Sequence, residues 1–395
     1  MCEMSVGDCF SFIQNGANIK QGEVDGGYPI TRIETISNNR FSRDRMGYAG
    51  ITDITPYRAY VLEDGDILMS HINSVRYLGR AVKYSKHDDE TIIHGMNLLR
   101  LKAIRGIVIP DYACLYFSSR HFREQISRIT KKSVNQASFS VADLKRAKML
   151  IASLEEQKQI VALMSRIDGI VQTRKAELKA LDHLIKARFV EMFGDPEYNN
   201  KRWPLKRLND LCNVGSSKRI YQEEQTMEGV PIWRISDLVS KMDTGNVESS
   251  LFIPESRYEE LKEQGLVPEP GDILVTSRGT LGRCYIVDPD DRFYFQDGMI
   301  SWISNYFDEI TPLYIQYLFD MSGFRKQIDG LQAGSTVAYL SITMLKKLNV
   351  MVPSRKLQEQ FAAFVSQVDK SKLSIQASLD QLETLKQSLM QKYFG

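Results

Sequence analysis

No run of apolar residues in this 395-residue chain approaches the ~20 positions that a membrane-spanning helix requires. The opening, MCEMSVGDCF, lacks the basic-then-apolar order of a secretion signal. Cysteine is scarce: Cys2, Cys9, Cys114, Cys212 and Cys284 lie far apart and form no Cys-x-x-Cys. A zinc site and a disulfide framework are therefore not expected, and a cytoplasmic setting away from membranes is. There is no Gly-x-x-x-x-Gly-Lys-Ser/Thr phosphate loop, and no Gly-x-Gly-x-x-Gly follows a strand. His71, His87, His94, His121 and His183 form no His-Glu-x-x-His or close pair, so no metal is expected either. Asp195-Pro196-Glu197-Tyr198 superficially matches an Asp-Pro-Pro-Tyr methyl-transfer element, but Glu197 replaces the second proline. With every such signature missing, no catalytic residue and no cofactor of its own are expected.

What remains is an ordinary globular composition, 43% hydrophobic and 25% charged, with a net charge of only +2. That is well short of the basic footprint of a stand-alone nucleic-acid binder. The charge is unevenly spread. Residues 1–150 hold 21 Lys+Arg against 16 Asp+Glu, whereas residues 195–352 hold 17 against 23. Phosphate attraction scales with cationic contacts, so the second region would need help to grip a polyanion.

The chain is also written twice, and internal repetition takes precedence over other signals. EDGDIL at Glu63–Leu68 recurs as EPGDIL at Glu269–Leu274, and Leu-Gly-Arg follows each, at Leu78–Arg80 and Leu281–Arg283. Pro29-Ile-x-Arg32-Ile returns as Pro231-Ile-x-Arg234-Ile. A spaced aromatic pattern carries Tyr112, Phe117, Phe122, Arg123 and Ile126, then Tyr314, Phe319, Phe324, Arg325 and Ile328. Gln157 and Gln358, Asp168 and Asp369, and Phe193-Gly194 and Phe394-Gly395 each stand 201 residues apart. Between these anchors the copies diverge, as expected of one scaffold bearing two sets of loops.

Within each copy, β-rich runs come first: Asp66–Ser70, Arg80–Tyr84 and Leu98–Leu101, then Asp272–Thr276 and Cys284–Val287. Tyr112–Ile129 and Pro312–Ile328 read as single helices packed on a sheet. Each copy closes with a long helix, the first opened by a capping box at Ser153-x-x-Glu156. Steps of four and three then run through Ile160, Met164, Ile167, Val171, Arg174, Leu178, Leu181, Ile185 and Arg188. The second helix repeats them at Phe361, Val365, Val368, Lys372, Ile375, Leu379, Leu382, Lys386 and Leu389. This is the seven-residue period of a left-handed coiled coil. Arg174 and Arg188 in one seam match Ile375 and Leu389 in the other, so the helices are expected to pair with each other, antiparallel, placing the globular parts at opposite ends. From Leu154 to Phe189 such a helix spans roughly 54 Å, more than one turn of DNA. The expected class is α+β, with globular regions 1–150 and 195–352 and helical regions 151–194 and 353–395.

This order, and the runs Leu154-Glu-Glu-Gln157-Lys-Gln159-Ile160 and Leu357-Gln358-Glu-Gln360-Phe361, resembles the specificity subunits of type I restriction-modification systems. In that family a proline-rich segment commonly precedes a Leu/Glu/Glu/Gln run. Pro353 keeps the proline, whereas Ile151-Ala152-Ser153 lacks it. Gly334-Ser335-Thr336 and Pro231–Leu238 also look like family segments. The resemblance covers nearly the whole chain. It implies two target recognition domains, each reading half of a split double-stranded DNA site, and helices that fix the gap and dock two methyltransferase subunits. Restriction subunits would join them, and S-adenosylmethionine, ATP and magnesium would belong to those partners.

Reading base edges needs paired donors, chiefly Arg for guanine and Asn or Gln for adenine. In the first domain, loop-like stretches offer Arg43, Arg45, His71, Asn73, Arg76, Lys131, Lys132 and Gln136. The second offers Lys218, Arg219, Tyr221, Ser277, Arg278, Thr280, Ser335 and Thr336. Arg278 stands out, because the neighbouring Gly279 lets backbone approach a groove. The competing expectations are a coiled-coil adaptor with duplicated ligand-binding domains, and an enzyme such as a nuclease with an unrecognised site.

Overall fold

In a computed structural model, residues 2–24, 27–37, 39–133, 136–331 and 338–395 are described. The chain divides into two compact units, Met1–Lys175 with Gln376–Gly395, and Ala176–Ile375. Each unit thus holds one globular part and stretches of both long helices.

The first unit is built on an antiparallel sheet in the order Phe10–Asn15, Leu98–Ala103, Ile67–Ser70, Ala81–Lys83. The second repeats it with Asn213–Gly215, Ile300–Ser304, Ile273–Thr276 and Cys284–Ile286. A two-stranded ribbon closes each globular part, Cys2–Ser5 on Lys148–Ile151 and Leu205–Arg207 on Asn349–Met351. The strand runs expected from sequence are found within one or two residues.

The repeated Gly-Asp-Ile-Leu has a physical cause. Asp66 accepts a hydrogen bond from the Glu63 amide (2.6 Å), and Asp272 accepts one from Glu269 (2.9 Å), which folds the turn before each central strand. Burial pushes both carboxyls up from their usual range. Arg100 meets Asp66 at 2.7 Å, whereas Trp302 Nε1 donates to Asp272 at 2.8 Å. The repeated Leu-Gly-Arg is equally constrained. Gly79 (φ +74°) and Gly282 (φ +69°) are left-handed, and a Cβ there would stand 3.1 Å from Ile126 and 3.0 Å from Ile328.

One expectation is corrected. Tyr112–Ile129 is two helices, Pro110–Ser118 and Arg120–Ile129, because Ser119 leaves helical geometry and its side chain accepts from the Phe122 amide (3.2 Å). The second copy breaks in the same place, into Pro312–Asp320 and Ser322–Gly330.

The long helices run Leu154–Phe193 and Arg355–Phe394, 40 residues each. The Ser153–Glu156 capping box forms, with the Ser153 amide donating to Glu156 (3.0 Å) and the Glu156 amide to Ser153 (3.3 Å). Every seam position named from the seven-residue period is buried or half-buried. Within the first unit, Asp168 pairs with Lys386, and Lys175 with Glu383 at 3.9 Å. Rising numbers on one helix meet falling numbers on the other, so the pairing is antiparallel. In the second unit Lys372 reaches Asp182 at 2.6 Å, and Phe361 packs on Phe189 with ring centres 5.5 Å apart. The two lysines that interrupt the seam, Lys372 and Lys386, thus find carboxylates on the facing helix, whereas Arg188 pairs with Glu191 on its own helix at 2.8 Å.

Each helix begins on one globular part and ends on the other. Phe394 closes on Tyr112 and Tyr116 in the first unit, with centroids at 5.3 and 5.8 Å. Its counterpart Phe193 closes on Tyr314 in the second, at 4.9 Å.

Candidate nucleic-acid interface

The loop leaving the central strand differs between the copies, and it organises the polar surface of each unit. In the first unit, Ile72–Asn73 pairs with Ala137–Ser138, which pairs in turn with Lys131–Lys132. Ala137 faces both Asn73 and Lys132 in register, so all three side chains share one face. Gln136 closes the adjoining turn, its carbonyl accepting from the Ser133 amide at 2.8 Å. Beside this sheet lies a cleft of about 260 Å³ whose rim carries Arg45, Asn73, Tyr77, Arg80, Glu34 and Ser37. Arg45 donates to Ser37 Oγ at 2.9 Å. Tyr77 lies between Arg80 and Arg76, whose guanidinium carbons stand 4.7 and 5.7 Å from its ring centre.

In the second unit the equivalent loop is shorter. Arg278 bridges Tyr339 through the backbone and lays its guanidinium 5.2 Å from that ring's centre. The cleft beside it measures about 320 Å³. Its floor is apolar, with Ile220, Ile232, Leu251 and Met299, and its rim carries Arg219, Gln225, Arg234, Arg278, Gln296 and Asp297. Lys218 borders it, held by Tyr294, whose hydroxyl accepts from the Lys218 amide (2.8 Å) and donates to its carbonyl (3.0 Å). Tyr221 is exposed at the start of the short helix Gln222–Glu224. Thr280 is exposed, its carbonyl accepting from Thr276. The two clefts occupy the same place in the repeat, between the Pro-Ile-x-Arg-Ile segment and the loop that leaves the central strand.

Three sequence candidates are corrected by their surroundings. Arg43 is spent on Glu90 (2.5 Å) and the Ser85 carbonyl (2.8 Å), and that guanidinium holds the Glu90 carboxyl down to about 2. His71 is buried against Phe139, and burial lowers its pKa to about 4, so it carries no charge near neutrality. Ser277 is 1% exposed, its hydroxyl bonded to Ser301 Oγ at 2.8 Å and its carbonyl to the Leu340 amide at 3.0 Å. His71 and Ser277 are each the first residue after the central strand, and each uses its carbonyl in the same way, accepting from the Phe139 amide (3.2 Å) or the Leu340 amide. Ser335 and Thr336 lie outside the described residues.

The geometry also adds residues that the sequence reading missed. Arg80 and Arg234 sat inside repeated motifs and were absorbed there as scaffold. Gln296, in the turn Gln296-Asp297-Gly298, and Gln225, just after a short helix, carried the turn signal that could have found them. Among the described residues no three His, Cys, Asp or Glu side chains gather as a metal site.

The comparisons with known proteins agree on one family. The family described as type I restriction modification DNA specificity domain matches residues 2–180 and again residues 200–384. The Methanocaldococcus jannaschii type I restriction enzyme MjaX specificity subunit is 26% identical over 404 residues, spanning 97% of this chain and 90% of that protein. The Haemophilus influenzae subunit S.HindORF215P is 30% identical over 173 residues, 44% of this chain and 42% of that one. Among solved structures, the type I restriction-modification system S subunit from M. genitalium matches with TM-score 0.53 and 16% identity, over 100% of this chain and 96% of that one. A chain from a type I restriction-modification assembly matches with TM-score 0.60 and 14% identity, over 100% and 97%. At those identities the structures speak for the fold alone. Matched twice along its length, the chain belongs to the type I restriction-modification DNA specificity family.

Proposed function

We propose that this chain is the DNA-reading subunit of a type I restriction-modification enzyme. Residues 1–150 and 195–352 are target recognition domains, each reading one half of an asymmetric, bipartite double-stranded site. The paired helices dock two methyltransferase subunits, and restriction subunits join that assembly. S-adenosylmethionine, ATP and magnesium are bound by those partners, which act together as an adenine methyltransferase and nuclease.

One observation carries the reading: two clefts at the same place in the repeat have different polar rims. A single scaffold with two donor sets suits the recognition of two unlike half-sites. The acidic balance of the second region also loses its force as an objection. Three arginines and one aspartate stand around the second cleft, so positive charge is concentrated where a groove would lie. Partner subunits around the DNA supply the phosphate contacts that the rest of that domain lacks. Within the clefts and the adjoining sheet, Arg45, Asn73, Arg76, Lys131, Lys132 and Gln136 act for the first domain. Lys218, Arg219, Tyr221, Arg278 and Thr280 act for the second.

The test is methylation of genomic DNA in cells expressing this chain with and without its methyltransferase subunits. Methylated adenines in a bipartite motif should appear only with both present. Turnover of S-adenosylmethionine by the purified chain alone would overturn the assignment.

A further inference from the structure

The rim of the second cleft is chemically selective, and it allows the proposed half-site to be specified further. Gln296 follows the strand Tyr294–Phe295, which runs parallel to Val230–Trp233, and its amide donates to the Trp233 carbonyl at 3.0 Å. Trp233 is itself stacked on Phe293, so Gln296 projects from rigid backbone. Its side-chain amide makes no hydrogen bond among the described residues, and the same holds for Gln225 across the cleft. Arg278 has no carboxylate partner among the described residues, and its guanidinium carbon stands 5.2 Å from the centre of the Tyr339 ring. The other two arginines are engaged: Arg219 lies 3.4 Å from Asp297, and Arg234 lies 3.4 Å from Asp237.

An uncommitted carboxamide offers a donor and an acceptor side by side, the complement of adenine N7 and N6 in the major groove. An uncommitted guanidinium, planar by its own chemistry, offers two parallel donors, the complement of guanine O6 and N7. Resting on the reading proposed above, we infer that Gln296 and Arg278 are specificity-determining residues for the second half-site. Gln296 reads an adenine and Arg278 a guanine on one groove surface. Arg219, exposed and only loosely paired, serves the adjacent phosphates, and Gln225 supports the adenine contact from the opposite wall.

The experiment is methylation-aware sequencing of cells expressing the full chain with its methyltransferase subunits, comparing wild type with Gln296→Ala, Gln296→Glu, Arg278→Ala and Arg219→Ala. Gln296→Ala should relax one adenine position of the second half-site, on the order of tenfold to a hundredfold in preference, and leave the first half-site intact. Gln296→Glu, which only accepts, should move that position toward cytosine. Arg278→Ala should relax a guanine. Arg219→Ala should lower occupancy of all sites without changing the motif. If a variant methylates too little to read, its purified complex is used to select bound duplexes from a pool randomised across the second half-site. An unchanged motif, or weakened binding with unchanged base preference, for both Gln296 and Arg278 variants would overturn the inference while leaving the bipartite function standing. A wild-type motif that is not bipartite would instead defeat the function itself.

Discussion

Gln157 and Gln358 stand 201 residues apart and hold the starts of their helices by the same buried bonds. Gln157 accepts from the Ile109 amide (2.8 Å) and donates to the carbonyls of Ile107 (2.8 Å) and Ala152 (2.9 Å). Gln358 accepts from the Thr311 amide (2.9 Å) and donates to Glu309 (2.8 Å) and Pro353 (2.9 Å). The glutamine of the Leu/Glu/Glu/Gln run is thus a rivet between the helix and the loop before the aromatic helix. Replacing Gln157 or Gln358 by Leu strands one amide and two carbonyls in the interior. At roughly 1–3 kcal/mol for each unsatisfied group, the loss should be several kcal/mol. Urea unfolding should show it as a clear drop in midpoint for either variant.

The seam should be just as sensitive to charge. Leu379 is 3% exposed in the first unit, and Leu178 holds the matching place in the other helix. Changing Leu379 to Asp buries a carboxylate with no cation provided for it, a loss on the order of several kcal/mol after relaxation. Thermal unfolding should fall accordingly, and size-exclusion chromatography should show weakened assembly with methyltransferase subunits. Exchanging the exposed Ser371 for Asp serves as the control and should leave both unchanged.

Acid should weaken the first unit in a defined range. Burial lowers His71 to about 4 and His94 to about 3 from an ordinary 6.5. Below pH 6.5 the unfolded chain takes up protons that the folded chain refuses, so stability is full above 6.5 and falls as pH drops toward 4. His94 Nε2 stands 2.8 Å from the Leu98 carbonyl, a bond a glutamine can imitate. His94→Gln should therefore flatten the decline in unfolding free energy between pH 6.5 and 4, measured by urea titration at stepped pH.

Much of the architecture was readable in the residues, for physical reasons that apply before any tertiary contact forms. The seams were legible because burial of a helix stripe leaves a periodic trace, and charges at Lys372 and Lys386 could be placed in it as interruptions. The break at Ser119 was not, since the aromatics on both sides continue a helical spacing, and Met321 breaks the second copy at the same place with no side-chain cap to mark it. Site residues were harder still. His71 and Arg45 look alike as polar residues in polar loops, yet one packs on Phe139 and the other rims a cleft. Which way a loop side chain turns depends on strands far away in sequence, here the pairing of Ile72–Asn73 with Ala137–Ser138.

The last prediction concerns the division of labour between the copies. Asn73, Arg80 and Arg45 rim the first cleft, whereas Arg278, Gln296 and Gln225 rim the second. The scaffold beneath is shared, down to Asp66 and Asp272 folding the same turn, so the same groove-facing surface is used in each. Unlike donors on like scaffolds present unlike hydrogen-bond patterns, and the half-sites should not be copies of one another. Replacing residues 1–150 with the corresponding region of a relative should change one half of the methylated motif and leave the other as it was. The register at Gln157 must be kept in the exchange, because its bonds to Ile107 and Ile109 join the domain to its helix. Methylome sequencing of the chimaera reads the outcome directly. A contiguous or palindromic motif, or an exchange that altered both halves, would mean that the two domains do not read DNA independently.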